Sequence, residues 1–315
     1  MPLPKVSVVG AGQVGATTAH LLVLKGLADV TLVDIIEGLA QGKALDMMQS
    51  APVEGFPGQV TGTTDFGAMA GSRLVVITAG LARKPGMSRD DLLAANANIV
   101  GPIAERVASS APEAVVIVVT NPLDVMVAHT LSRTAFPRQR VMGMAGVLDS
   151  ARLRAFVAMR LQVPPTEVRA MVLGSHGDLM IAIRNTITVK GKLITDYLPV
   201  TKIDQLIERA KTGGAEIVSL LKTGSAFYAP ASGVVEMASA ILRDTHAVLP
   251  VCAALQGEYG LRDVCIGVPA QLGSAGIERI VEIALTAEER TALTAAARQV
   301  ADMIKNLSTL QSAAR

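Results

Sequence analysis

The first thirty-four residues leave little choice of fold. A short apolar run, Val6–Val9, leads into Gly10-Ala11-Gly12-Gln13-Val14-Gly15; a helical stretch follows, and a second apolar run, Val30–Val33, ends on Asp34. Strand, glycine turn, helix and strand in that order describe a parallel pair joined by a right-handed crossover. The alternation continues through Gln59–Thr63, Leu74–Thr78, Ala114–Val119 and Arg140–Gly143, with helices expected over Val14–Lys25, Leu39–Ser50, Asp91–Ser109 and Asp124–Arg133. Short Val/Ile-rich strands interleaved with helices read as a parallel sheet covered on both faces. The expected fold class is therefore α/β, with a doubly wound parallel sheet over residues 1–148.

After Asp149 the pattern changes to long helices mixed with alternating strands, so residues 149–315 are expected to form an α+β domain. A hairpin is expected around Val189-Lys190-Gly191-Lys192. A last helix should run from Ala287 to about Leu310, with Leu293, Ala296, Ala297, Val300 and Ile304 at helical spacing. Two domains also suit 315 residues. Half of the residues are hydrophobic but only 3% are aromatic, so the core must be aliphatic. With no internal repeat and no flexible linker in view, the two parts should pack together and leave a cleft.

Composition also removes whole classes of function. The formal net charge is +2, with basic residues spread along the chain, which argues against a nucleic-acid partner. Cys252 and Cys265 form no CxxC pair and sit in apolar surroundings, as buried thiols of a reducing compartment do. No basic segment followed by an apolar leader opens the chain, and the longest strongly apolar stretch, Ala114–Val119, is far shorter than the roughly 20 residues that cross a bilayer. The expectation is a cytoplasmic protein with no membrane partner.

Six strands wound around a glycine-rich first turn describe a Rossmann domain. Gly10 permits the tight turn, Gly12 lets backbone approach a pyrophosphate, and Gly15 allows close helix–strand packing. Ala11, Gln13 and Val14 complete a cradle whose unpaired N–H groups at the helix start favour an anion. Asp34, ending the second strand, can accept hydrogen bonds from both adenosine ribose hydroxyls and would repel a 2′-phosphate. NAD is expected over NADP.

The chemistry is expected at Ser175-His176-Gly177-Asp178. A histidine titrates near neutral pH, so it can take a hydroxyl proton while a nicotinamide takes the hydride. Asp149 and Arg152, three apart, project from one side of a helical segment. One can hold the histidine and the other a substrate anion. His20, His129 and His246 lack such company and read as ordinary helix or surface residues. No His/Cys/carboxylate set has metal-ligand spacing, so no metal is expected.

Taken with Thr120-Asn121-Pro122 and the run Thr78-Ala79-Gly80-Leu81-Ala82-Arg83-Lys84-Pro85-Gly86-Met87-Ser88-Arg89, these segments resemble the lactate/malate dehydrogenase family over nearly the whole chain. The resemblance implies His176 as general acid/base with Asp149 as its partner, and Arg152 as the grip on the carboxylate beside the reacting carbon. It implies Arg89 as the loop arginine that steadies the carbonyl oxygen, and Asn121 as a residue that binds substrate and places the nicotinamide. Val119, Thr120 and Asn96 are implied as further cofactor contacts. Where lactate enzymes of the family typically carry glutamine, this chain has Arg83, which can pair with a second carboxylate. Leaving such an arginine unpaired costs about 3–5 kcal/mol if the site is closed to water.

The implied reaction is the interconversion of malate and oxaloacetate with NAD, a step of the tricarboxylic acid cycle, in a homo-oligomer of four or two chains. Two alternatives remain, another 2-hydroxy acid such as lactate as substrate, or an NAD-binding protein without turnover. Ser175 stands where related malate enzymes commonly have glycine, and Ala231-Ser232-Gly233 replaces a more usual Ala-Ala-Ser.

Overall fold

The computed structural model describes residues 2–82 and 87–313. In the first half the elements are β1 (Lys5–Val9), α1 (Gln13–Leu24), β2 (Asp29–Val33), α2 (Leu39–Glu54), β3 (Val60–Thr63), β4 (Leu74–Ile77), α3 (Arg89–Ser110), β5 (Val115–Val118), α4 (Leu123–Thr134) and β6 (Val141–Gly143). The second half holds α5 (Gly146–Leu161), β7 (Val168–Arg169), β8 (Val172–Gly174), β9 (Met180–Ala182), β10 (Thr188–Val189), β11 (Lys192–Leu193), α6 (Val200–Leu221) and α7 (Tyr228–Leu242). It ends with β12 (Ala247–Gln256), β13 (Arg262–Gly273), β14 (Gly276–Ile280) and α8 (Ala287–Ala313).

The first six strands lie parallel in the order β3-β2-β1-β4-β5-β6. Their residues point alternately to two covered faces, as period-two side chains must. Val6, Val8, Val30, Leu32, Leu74 and Val76 pack with Leu22 and Val23 of α1 and Val234 and Val235 of α7. Val9, Val33, Val75, Ile77, Val116 and Val118 meet Leu93, Ala97 and Val100 of α3 and Leu123 and Val127 of α4. The helix α7 from the second half thus lies against α1.

Helix ends follow local chemistry more closely than the apolar spacing does. The third helix starts at Arg89, two residues before the expected Asp91, because Ser88 and Asp91 form a reciprocal capping box. The second runs past the expected Ser50 and through Pro52, to end at Gly55, whose φ of +73° closes it in the left-handed conformation. The expected hairpin forms between β10 and β11, with Lys190 and Gly191 both at positive φ.

Most strands of the second half join the sheet of the first. Cys252 of β12 pairs with Gly143 of β6, and β13, β8 and β9 follow, so that one eleven-stranded sheet runs through both halves, with β14 on β13. β10, β11 and β7 make a small separate sheet. The expected division at Asp149 falls inside α5, while the chain leaves β6 at Gly143 and enters that helix at Gly146. Among the described residues, no helix is long and apolar enough to cross a membrane.

Candidate active site

The carboxyl ends of β1, β4 and β5 meet at one edge of the sheet, where an open α/β fold binds ligands. At the end of β1, Gly10 adopts φ +105°, and a Cβ on Gly15 would lie 1.8 Å from the Gly10 carbonyl, so neither can carry a side chain. Nothing lies within 4 Å of the position a Cβ would take on Gly12, and Gly12 and Gln13 are exposed at the start of α1. No side chain caps that helix. Its first N–H groups therefore face outward with the helix dipole behind them, as an anion site requires. Ala11 is buried and Val14 half-buried in the same turn.

Asp34 at the end of β2 is half-buried. Its Oδ2 accepts the Ala11 N–H at 2.6 Å and its Oδ1 accepts the Ile36 N–H at 3.0 Å. It therefore fixes the glycine turn besides presenting a carboxylate at its rim. Ile35 and Ile36 beside it are 81% and 59% exposed, an apolar surface a flat base could cover. Sequence reasoning passed over them, although two adjacent isoleucines after a strand-ending acid were the available signal.

Val119, Thr120 and Asn121 leave β5 alongside the segment that leaves β4. The Val119 N–H donates to the Ile77 carbonyl at 2.9 Å, and the Thr120 hydroxyl to the Ala79 carbonyl at 2.7 Å. Asn96, expected as a cofactor contact, is fully buried. Its amide oxygen accepts the Leu81 N–H at 2.7 Å, and its Nδ2 donates to the carbonyls of Leu81 and Asn121 at 3.1 and 2.6 Å. The side chain thereby ties the segment after β4 to Asn121, at the edge where the cofactor contacts are expected.

A cavity of about 600 Å³ opens beyond Asn121, lined by Arg89, Asn121, Asp124, Ser175, His176 and Asp178 among others. His176 enters it from the loop after β8, which lies so close to β13 that a Cβ on Gly267 would stand 2.4 Å from the Gly174 carbonyl. Its Nδ1 lies 2.9 Å from Oδ2 of Asp149, on the first turn of α5. Burial alone would push the imidazole's proton affinity down. The charge and hydrogen bond of Asp149, helped by Asp124 and opposed by Arg152, outweigh it, and the pKa is raised.

Arg152, three residues on, has its guanidinium 3.6 Å from Oδ1 of Asp149. Its Nε and that Oδ1 are buried with no hydrogen-bond partner among the described residues. Burial lowers its proton affinity, with Asp149 opposing, but a guanidinium stays charged. A buried cation with donors to spare suits a small carboxylate. Helix α6 passes close by, where Gly213 and Gly214 leave room for Arg152. Sequence reasoning did not connect that glycine pair with the site, and only its place inside a helical pattern could have hinted at it.

Arg89 is the first residue of α3 rather than part of a loop. It is highly exposed and lies 3.6 Å from Asp178 across the mouth of the cavity. Arg83 lies outside the described residues. The other histidines sit apart from this group. His129 is buried against the Ala97 carbonyl, and burial lowers its pKa. His246 is exposed beside Asp244, both just before β12, and Glu278 of β14, a trio close enough to share an ion.

Against known proteins, residues 4–143 match the model of the lactate/malate dehydrogenase NAD binding domain, and residues 146–311 that of the lactate/malate dehydrogenase alpha/beta C-terminal domain. The malate dehydrogenase of Nostoc punctiforme is 53% identical over 96% of this chain and 93% of its own length. That of Thermomicrobium roseum is 51% identical over 97% and 99%. Among solved structures, Salinibacter ruber malate dehydrogenase superposes with a TM-score of 0.95 at 44% identity, covering 99% of this chain and all of the other. A Cryptosporidium parvum lactate dehydrogenase, complexed with lactic acid and NAD, reaches a TM-score of 0.94 at 38% identity, covering 98% and 99%. With both halves matched and the identity spread over almost the full length, the chain belongs to the lactate/malate dehydrogenase family, whose first domain binds NAD.

Proposed function

We infer that the chain reversibly oxidises (S)-malate to oxaloacetate, with NAD taking the hydride and His176 the hydroxyl proton. One observation carries the reading: His176 is held on Asp149 within 2.9 Å while Arg152, beside the same carboxylate, keeps a buried Nε unpaired. When bound, NAD supplies the hydride acceptor. Everything else falls to the chain. Gly10, Ala11, Gly12, Gln13, Val14 and Gly15 would cradle the pyrophosphate on the α1 terminus, and Asp34 would take the ribose hydroxyls and repel a 2′-phosphate. Val119, Thr120 and Asn121 would line the nicotinamide end.

With Asp149 accepting from Nδ1, the neutral imidazole keeps its Nε2 lone pair as the base, and the imidazolium formed on oxidation is stabilised by the same carboxylate. Arg152 would bind the carboxylate next to the reacting carbon in a two-point grip. Arg89, at the cavity mouth, would steady negative charge on the carbonyl oxygen. Arg83 would pair with the far carboxylate. The superposition on malate and lactate enzymes alike leaves substrate choice to that residue and to the closer relatives' shared name.

In this reading residues 1–148 hold the cofactor and 149–315 the substrate. The tricarboxylic acid cycle is the natural setting for such a reaction. Free, buried Cys252 and Cys265 suit a reducing cytoplasm. Exposed Leu45 and Val53 on α2 and Tyr228 on α7 suit a homo-oligomer, dimer or tetramer.

The test follows NADH absorbance with oxaloacetate and pyruvate in parallel, then with NADPH. Oxaloacetate should be preferred by about two orders of magnitude or more, and Arg83→Gln should erase most of that preference. Faster turnover of pyruvate by the unaltered protein would move the chain to lactate chemistry. No turnover despite NADH binding would make it a binding protein.

A further inference from the structure

A second carboxylate stands behind His176, and the chemistry above does not use it. The turn that presents Asn121 runs straight into α4, and three residues later it delivers Asp124, which is 3% exposed. Its Oδ2 accepts the Ser175 hydroxyl at 2.6 Å and the backbone N–H of His176 at 3.3 Å. Its Oδ1 is buried with no hydrogen-bond partner among the described residues. The thiol of Cys252 approaches the same carboxyl from β12.

An acid in such a place is expensive, since an ionised carboxylate taken out of water must be paired or well hydrogen-bonded. Packing does not require it, because an apolar or amide side chain fills the same volume. Asp124 does meet the proton-transfer loop at two consecutive residues, once through a side chain and once through the backbone. It also belongs to the turn that carries Asn121, itself braced by Asn96. One rigid corner therefore presents a substrate-side amide and grips the loop of the acid/base.

We propose that Asp124 and Ser175 form a buried latch that positions His176. Asp124 anchors the loop from the α4 side while Asp149 orients the ring from the α5 side. The imidazole is thus located by one carboxylate from each half of the chain. Ser175 supplies the shorter strap, its hydroxyl at 2.6 Å against 3.3 Å for the His176 N–H. The proposal rests on His176 being the acid/base. The charged groups facing that ring are Asp149 and Arg152 from α5 and Asp124 from α4, with the Arg89–Asp178 pair at the mouth. Burial pushes the Asp124 carboxyl's pKa up, against the Ser175 and His176 hydrogen bonds, so where it is ionised, removing its charge should lower the ring's proton affinity as well as loosen its place.

The test uses full-length Asp124→Asn and Ser175→Ala, with NADH affinity by fluorescence and the pH profiles of kcat and KM for oxaloacetate reduction. Both variants should bind NADH within about three-fold of the unaltered protein and keep KM within a similar range. Asn should lower kcat by about ten-fold or more and Ala by several-fold, as expected when general acid–base geometry is degraded. Asp124→Asn should also move the limb set by His176 to lower pH. A latch role is overturned if Ser175→Ala keeps full kcat, or if either folded variant loses NADH binding in step with kcat, the mark of a merely structural residue. Should Asp124→Asn fail to fold, Ser175→Ala alone decides. Failure of the parent reading looks different, because the unaltered protein would then not turn over oxaloacetate, or would do so without His176.

Discussion

In the proposed reaction His176 gives up a proton in one direction and accepts one in the other, so its raised proton affinity has opposite consequences for the two. Reduction of oxaloacetate needs the imidazolium. Because the net influence of Asp149 and Asp124 overcomes burial and lifts the pKa, reduction should hold at pH values where an ordinary histidine has already lost its proton, and then decline. Malate oxidation, which needs the neutral ring, should rise only above that same shifted pKa. Paired pH profiles of kcat/KM check the crossing, and coincident profiles would exclude His176 as the shared group. His176→Asn should still bind NADH yet turn over about 10²–10⁴-fold more slowly. At this scale His176, Asp149 and Arg152 were legible because charge, spacing and glycine access point the same way. Asp124 was not, since an acid in the first turn of a helix has a ready explanation in the helix dipole. Only the meeting of two distant segments gives it another. For Asn96 the sequence did not disclose the bond to the Asn121 carbonyl, because an amide can face many partners and spacing does not say which.

Among the elements, helix α6 carries a tension between its own stability and the site it borders. Gly213 and Gly214 weaken a helix interior, each by roughly 0.5–1 kcal/mol relative to alanine. A Cβ on Gly214, however, would come within 3.2 Å of the Arg152 guanidinium. Gly214→Ala should therefore raise the melting temperature slightly while raising KM for oxaloacetate several-fold, as Arg152 yields by a few tenths of an ångström. A rise in stability with unchanged KM would show that Arg152 does not depend on that clearance. Elements with strong local signals were legible, including the glycine turn, the crossover helices and the long, regularly spaced α8. Apart from the β10–β11 hairpin, the strands of the second half were not. Several have only two or three residues, too few for a period of two to declare itself, and β12, though a continuous strand, carries Pro250 and several small residues that mask its pattern.

The largest scale departs furthest from the expected plan, because the sheet continues past the last parallel strand, β6, into antiparallel strands of the second half. Besides the single pairing of Cys252 with Gly143, a charged clamp holds the seam. Arg138, just before β6, binds Glu258 in the turn between β12 and β13 at 2.8 Å and also donates to the Ala254 carbonyl. Burial works against ionisation of Glu258, but the Arg138 hydrogen bonds and charge, with the Gln256 N–H, prevail and lower its pKa to about 2. A carboxylate with a depressed folded pKa contributes stability that is complete above its unfolded value and is lost as pH falls through the folded one. Glu258→Gln should then cost about 1 kcal/mol near neutral pH. The difference from the unaltered protein should shrink between pH 4.5 and 2, as denaturation curves across that window would record.

The shared sheet also has a consequence for synthesis. A ribosome delivers β1 to β6 long before β12, so the first half of the nascent chain leaves the tunnel with the Val141–Gly143 edge bare and its backbone groups able to template a foreign strand. That edge is sheltered only after Ala247–Gln256 has been translated.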